Sequence, residues 1–230
     1  IERPLRLSAQ VSNDAVASLR FAPKPFNAVM QKLYEQYGAT WTADSYGQLT
    51  EYEAEIRALI KAEFSELKEK DIKTVLEPKM WLEQRTLLRK AQALQAKIGT
   101  AQCDDFNAFD DVLKQALKDA NVKLESKEKK QFIDAITWKN EDAERVIKKT
   151  EKDGTITYEA DSDLRDTENI PLKEDIHSYF LREVKPHVSE AWINLDATKI
   201  GYEISFNKYF YQHKPLRAIE EVTADILALE

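Results

Sequence analysis

Apolar residues recur with two different periods along this chain, and the changes of period divide it into elements. Leu5, Leu7, Ala9 and Val11 occupy every second position, the pattern of a strand with one buried and one polar face. From Lys24 to Tyr37 the pattern is helical, with Gly38 placed to end it. Tyr46, Leu49, Tyr52, Ile56, Leu59, Ile60, Phe64 and Leu67 then recur at helical spacing, predicting a long amphipathic helix. After Pro78, the residues Leu87, Leu88, Ala91, Leu94 and Ile98 share a second helical face, which Gly99 closes. These two long helices are expected to pair as an antiparallel hairpin.

Further on, Phe106, Phe109, Val112, Leu113, Ala116 and Leu117 form another helical stripe. Phe132, Ile133 and Ile136 form a shorter one, with Ser126 as its expected N-cap. Asp153-Gly154 stands between Val146-Ile147 and Thr155-Ile156-Thr157-Tyr158, which predicts a β-hairpin. A helix is expected from Pro171, with Glu174 and Asp175 near its positive end and Ile176, Tyr179, Phe180 and Val184 on its apolar face. Lys199 to Phe206 alternates as a strand. Beyond Pro215, Ile219, Val222, Ile226 and Leu229 are spaced three, four and three, the seam of a helix that packs on another helix.

These elements predict an α+β fold that is mainly α-helical. Residues 1–20 read as an opening strand continuing from a domain upstream, 21–145 as a helical region, and 146–230 as the hairpin plus a small mixed C-terminal module ending in a partner-packing helix. The chain begins at Ile1 rather than Met and stops inside a helical pattern, so it reads as a fragment. Five glycines in 230 residues suit helices better than tightly turned sheets.

Charge narrows the function. The net charge of −7 argues against a generic polyanion binder, so any DNA contact must come from a local patch or from partner subunits. One cysteine, Cys103, makes no internal disulfide and suits a reducing cytoplasm, where it reads as a small hydrophobe. No apolar run is long enough to span a bilayer.

The catalytic motifs are missing. The glycines stand apart at 38, 47, 99, 154 and 201, which leaves no phosphate loop, dinucleotide turn or nucleophile elbow. His177, His187 and His213 lack zinc-ligand spacing. The acidic pairs Asp104-Asp105 and Asp110-Asp111 read as solvated helix surface. Glu66-x-Lys68 and Glu128-x-Lys130 match a nuclease fragment no better than chance allows on charged helices. No catalytic, cofactor-binding or metal residue is assigned.

The last third carries a resemblance. Leu164-Arg165-Asp166-Thr167-Glu168-Asn169-Ile170-Pro171-Leu172-Lys173-Glu174-Asp175-Ile176 opens it, followed by Tyr179-Phe180, Val184-Lys185-Pro186-His187 and Ala191-Trp192-Ile193. It continues through Lys199-Ile200-Gly201-Tyr202-Glu203-Ile204, Phe206, Phe210-Tyr211 and the helix from Ile219. Together these resemble the C-terminal region of the modification subunit of type I restriction–modification systems, an N-6 adenine DNA methyltransferase. Glu2-Arg3-Pro4-Leu5-Arg6-Leu7 resembles the stretch that follows the methylase core in that family. Between Phe21 and Thr150 the likeness is loose, in order and helical character only.

The resemblance implies S-adenosylmethionine as cofactor of the full-length subunit, bound upstream of Ile1 and not by this segment. The Asn-Pro-Pro-aromatic motif that holds the flipped adenine is also absent here. It implies assembly with a specificity subunit and with the N-terminal methylase core, addition of a restriction subunit, and DNA contact through the complex. Ile219, Val222, Ile226 and Leu229 are the candidate seam for a partner helix, although the same stripe could pack back on this chain.

A second candidate surface is basic. Lys208, Lys214 and Arg217, with Lys199 just upstream, are interleaved with Tyr209, Phe210, Tyr211 and His213 and no acid. The simpler reading makes Tyr202, Phe206 and Phe210 core and the cations ordinary surface. The alternative is an autonomous nucleic-acid-binding module spanning Lys199 to Arg217.

Overall fold

A computed structural model describes residues 1–201, 210–211 and 219–228 and divides the chain into two units, Ile1–Ile193 and Asn194–Glu230. The fold is α+β and mainly helical, with two small antiparallel sheets among the described residues. The first unit is built on two hydrophobic cores that share one long helix.

That helix, α5 (Pro78–Ile98), follows α1 (Asn13–Ser18), α2 (Asn27–Tyr37), α3 (Glu53–Glu63) and α4 (Glu69–Leu76). Pro78 sits in its first turn, where its missing N–H costs nothing, and Gly99 closes it at φ +85°. Trp81, Gln84, Leu87, Leu88, Ala91 and Leu94 recur at three- and four-residue spacing and are all buried. Trp81 belongs to one core, and Leu87 to Leu94 belong to the other.

The first core gathers Ala9, Val11, α1, the later turns of α5, α6 (Phe106–Asp119) and α7 (Ser126–Ile136). Asp105 caps α6 by accepting the N–H groups of Asn107 at 2.9 Å and Ala108 at 3.2 Å. Phe109, Leu113 and Ala116 point inward at four- and three-residue intervals, while Val112 faces out. Burying a side chain such as Leu113 is worth roughly 1.5–3 kcal/mol. Glu125, not Ser126, is the N-cap of α7. Its N–H donates to the Glu128 carboxylate at 2.9 Å, and Glu128 also pairs with Lys90 of α5 at 2.7 Å.

The second core holds Val29, Met30 and Leu33 of α2, Ile56 and Ile60 of α3, and Val75 of α4, with Leu49, Leu67 and Trp81. The Trp81 indole N–H donates to the Val75 carbonyl at 2.8 Å, which locks the α4–α5 corner. Three expectations change here. The second helix starts at Asn27 rather than Lys24, although it ends at Tyr37 with Gly38 as its C-cap, as expected, and Gly38, at φ −62°, leads on into a 3-10 turn. Tyr46 and Leu49 precede the third helix, in a segment where Gly47, at φ +77°, lies against Trp81. The two long helices form no simple hairpin, because α4 intervenes and packs against both.

Strand β1 (Leu7–Ala9) pairs antiparallel with β2 (Thr137–Lys139), Ala9 opposite Thr137. The hairpin β3 (Ile147–Thr150) and β4 (Ile156–Tyr158) turns at Asp153-Gly154, with Gly154 at φ +88° and the Asp153 carboxylate accepting the Thr155 N–H at 2.9 Å. The position near Val146, read as the main internal boundary, falls inside the first unit. Helix α8 (Ile176–Tyr179) begins at Ile176, not Pro171. Asp175 is its cap, accepting the Ser178 N–H at 2.8 Å, and a π-helical turn continues it through Val184.

In the second unit, the Asn194 side chain caps a 3-10 turn, Leu195–Ala197, and helix α9 spans Ile219–Leu227. The expected strand lies outside the described residues beyond Gly201. Among the described residues, no helix is long and apolar enough to cross a membrane.

Candidate functional site

The opening segment has few helix-forming contacts of its own, and its backbone groups must find partners elsewhere. They find them across the whole first unit. The Asp166 N–H donates to the Ile1 carbonyl at 3.1 Å, and Glu2 and Trp192 exchange both backbone bonds at 3.0 Å. The Asp161 N–H donates to Arg3 at 2.9 Å, and Leu5 donates to Glu159 at 2.8 Å. Val146 donates to Leu5 at 2.8 Å, and Ala9 and Cys103 exchange bonds at 2.8 and 2.9 Å. One extended segment thereby ties residues 103, 146, 159–166 and 192 together.

Side chains reinforce this spine. The Glu2 carboxylate is buried; it accepts the Trp192 indole N–H at 3.1 Å and pairs with Arg165 at 3.1 Å. Arg6 pairs with Glu190 at 2.7 Å. Ile1 packs with Val188 and Ile193 against a small cluster of Phe180, Val184 and Ala191. Lys139 bridges the buried Asp161 and the exposed Asp163, and these carboxylates, Asp161 foremost, hold its ammonium above the usual lysine range.

The polar face of the opening strand is not solvated, as expected from alternation, but covered. Ser8 is fully buried, donating to Asp104 at 2.6 Å and accepting from Asn140 at 2.8 Å. The Ser8 hydroxyl, then the Gln102 amide, keep the Asp104 carboxyl below its ordinary value. The pair Asp104-Asp105 therefore divides its work: one carboxylate anchors the strand and the other caps α6. Asp110 and Asp111 are engaged by Lys114 at 2.9 and 2.8 Å on the helix surface. Glu128 is committed to the α7 cap and to Lys90, while Glu66 is exposed. Cys103 donates weakly to the Asp105 carbonyl, and among the described residues no cluster of metal-ligating side chains occurs.

The candidate seam lies on α9, where Ile219, Val222 and Ile226 are 80%, 40% and 57% exposed. Leu229 lies outside the described residues. Of the basic candidates, Lys199 is exposed in an irregular segment; Lys208, Lys214 and Arg217 lie outside the described residues. Phe210, core in the packing reading, is exposed, as is Tyr211.

Sequence reasoning missed the Glu2–Trp192–Arg165 clasp. All three residues stood in stretches already marked by resemblance, but a pairing across 190 positions leaves no periodic trace. Comparison with protein-family models, curated proteins and solved structures returned no match.

Proposed function

We propose that this chain is a non-catalytic C-terminal part of a type I restriction–modification modification subunit, acting as an assembly module between the methylase core and the specificity subunit. One observation carries the reading. The two separate stretches that resemble the family, Glu2 to Leu7 and Leu164 to Ile193, are bonded to each other through Glu2, Trp192, Arg165 and Arg6–Glu190. A segment leaving an upstream domain would thus be fastened directly to the C-terminal module. An exposed Ile219–Val222–Ile226 stripe on α9 supports a helical partner, since such stripes are unfavourable in water.

In this reading, S-adenosylmethionine and the flipped adenine belong to the upstream core. The isolated glycines here offer no close backbone approach for that cofactor, so no residue of this chain is assigned to it. The test is co-purification of the chain with the specificity subunit from its own cells, read by mass spectrometry. Recovery that is lost in Ile219→Asp/Val222→Asp/Ile226→Asp, with an unchanged melting curve, supports the assembly role. Recovery of nucleic acid alone would favour the Lys199–Arg217 binding-module reading instead.

A further inference from the structure

Residues 165–193 carry too little core to hold themselves together. Their buried apolar residues are Phe180, Val184 and Ala191, and the partly buried Ile1, Val188 and Ile193 pack on that cluster. None of these belongs to either large core. Their regular structure is the four residues of α8 and one π-helical turn, Phe180–Val184, preceded by irregular and largely exposed chain. Helices this short are unstable alone, because the first turn costs more order than its bonds return.

The opening segment supplies what they lack. Ile1 completes the apolar cluster. The Asp166 N–H donates to the Ile1 carbonyl at 3.1 Å, and Glu2 and Trp192 exchange backbone bonds at 3.0 Å. The Glu2 carboxylate takes both the Trp192 indole N–H and the Arg165 guanidinium, while Arg6 holds Glu190 at 2.7 Å. The stretch is thus gripped at its two ends, 165–166 and 190–193. The bonds from the Lys185 N–H to Phe180 and from the Val188 N–H to Val184, by contrast, stay wholly inside it.

We propose that Ile1, Glu2 and Arg6 form a latch on which residues 165–193 fold and unfold as one unit, while both large cores stay closed. Releasing Ile1 and Glu2 removes a member of the apolar cluster and the partners of Arg165, Asp166 and Trp192 in one step. What remains buries too little apolar surface to offset the entropy of ordering it. Leu5 and Ala9 keep their own bonds to Glu159, Val146 and Cys103, so release stops short of the first core. Order in residues 165–193 therefore reports whether the latch is seated, and opening uncovers Phe180, Val184 and Ala191. The inference does not rest on the assembly reading.

Amide hydrogen exchange on the intact chain tests it, with one variant on each side of the latch. Glu2→Ala should accelerate exchange at Lys185 and Val188 tenfold or more, and by a common factor, although neither amide is bonded to the opening segment. Coupling is reciprocal, so Phe180→Ala should accelerate the Glu2, Asp166 and Trp192 amides together. Leu88, Ala91 and Leu94 of α5 should keep their native rates in both variants. Unchanged rates at Lys185 and Val188 in Glu2→Ala, or at Glu2 and Trp192 in Phe180→Ala, overturn the proposal. So does equal acceleration in α5, which would make the stretch part of the main folding unit.

Discussion

The clasp between the two ends of the first unit makes a quantitative prediction for Trp192→Phe. Phenylalanine keeps most of the ring contact and both backbone bonds to Glu2, and removes only the indole N–H that reaches the Glu2 carboxylate at 3.1 Å. A hydrogen bond to a charged group is worth about 1.5–3 kcal/mol. The length of this one, and the Arg165 guanidinium that stays on the other carboxylate oxygen, place the loss at about 1.5 kcal/mol. The loss is local, because Glu2 and Trp192 lie outside the large cores. Hydrogen exchange at the Glu2 and Trp192 amides should therefore accelerate roughly tenfold. Amides of Leu88, Ala91 and Leu94, which need the first core to open, should keep their native rates. Two results refute the reasoning: unchanged exchange at Glu2 and Trp192, or equal acceleration in α5. The second would mean that the clasp opens only with the whole unit.

Glu128 provides a pH test. Partial burial pushes its carboxyl up, but the Lys90 hydrogen bond, the Glu125 N–H and the Lys90 charge together outweigh that push and leave it below the usual glutamate value. A lowered folded-state value stabilises above the unfolded pKa and is lost as pH falls through the folded one. The urea-unfolding gap to Glu128→Gln, about 1 kcal/mol at neutral pH, should close below the ordinary glutamate range; a constant gap refutes this. Glycine substitutions test the backbone. Gly47→Ala meets both a positive φ and the Trp81 side chain and should cost about 3 kcal/mol or more; Gly154→Ala, at a similar φ in open space, should cost about 1 kcal/mol. Equal shifts in the two thermal melts would remove the packing argument.

What periodicity could read, it read well. Leu87, Leu88, Ala91 and Leu94 face inward because a helix repeats every 3.6 residues whatever its surroundings, and the same holds for Phe109, Leu113 and Ala116. The Asp-Gly turn was legible for a similar reason, since a tight turn's φ requirement is local. Boundaries were less legible. Tyr46 and Leu49 fit the helical phase of Ile56 and Ile60, yet Gly47 takes a left-handed conformation there and the helix starts at Glu53. The Ser126 cap lost to Glu125 because Glu128 reaches back to the Glu125 N–H while also holding Lys90 on another helix.

The candidate site was legible in its parts and not in its union. Alternation at Leu5 to Val11 predicted a strand with a wet face. Ser8 is instead buried, because Asp104 and Asn140 arrive from 96 and 132 positions away to satisfy it. A polar residue in an alternating strand marks a face that must be hydrated or hydrogen-bonded, and the sequence cannot distinguish these. The same ambiguity governs α9. Its three-and-four spacing demands an apolar neighbour, and exposure of Ile219 and Ile226 shows that demand unmet among the described residues. What satisfies Ser8 is written into this chain at distant positions. The assembly reading assigns α9's neighbour to another chain, and the Asp substitutions separate these cases. A stripe satisfied within the chain would cost stability when charged, whereas one awaiting a partner would cost only the complex.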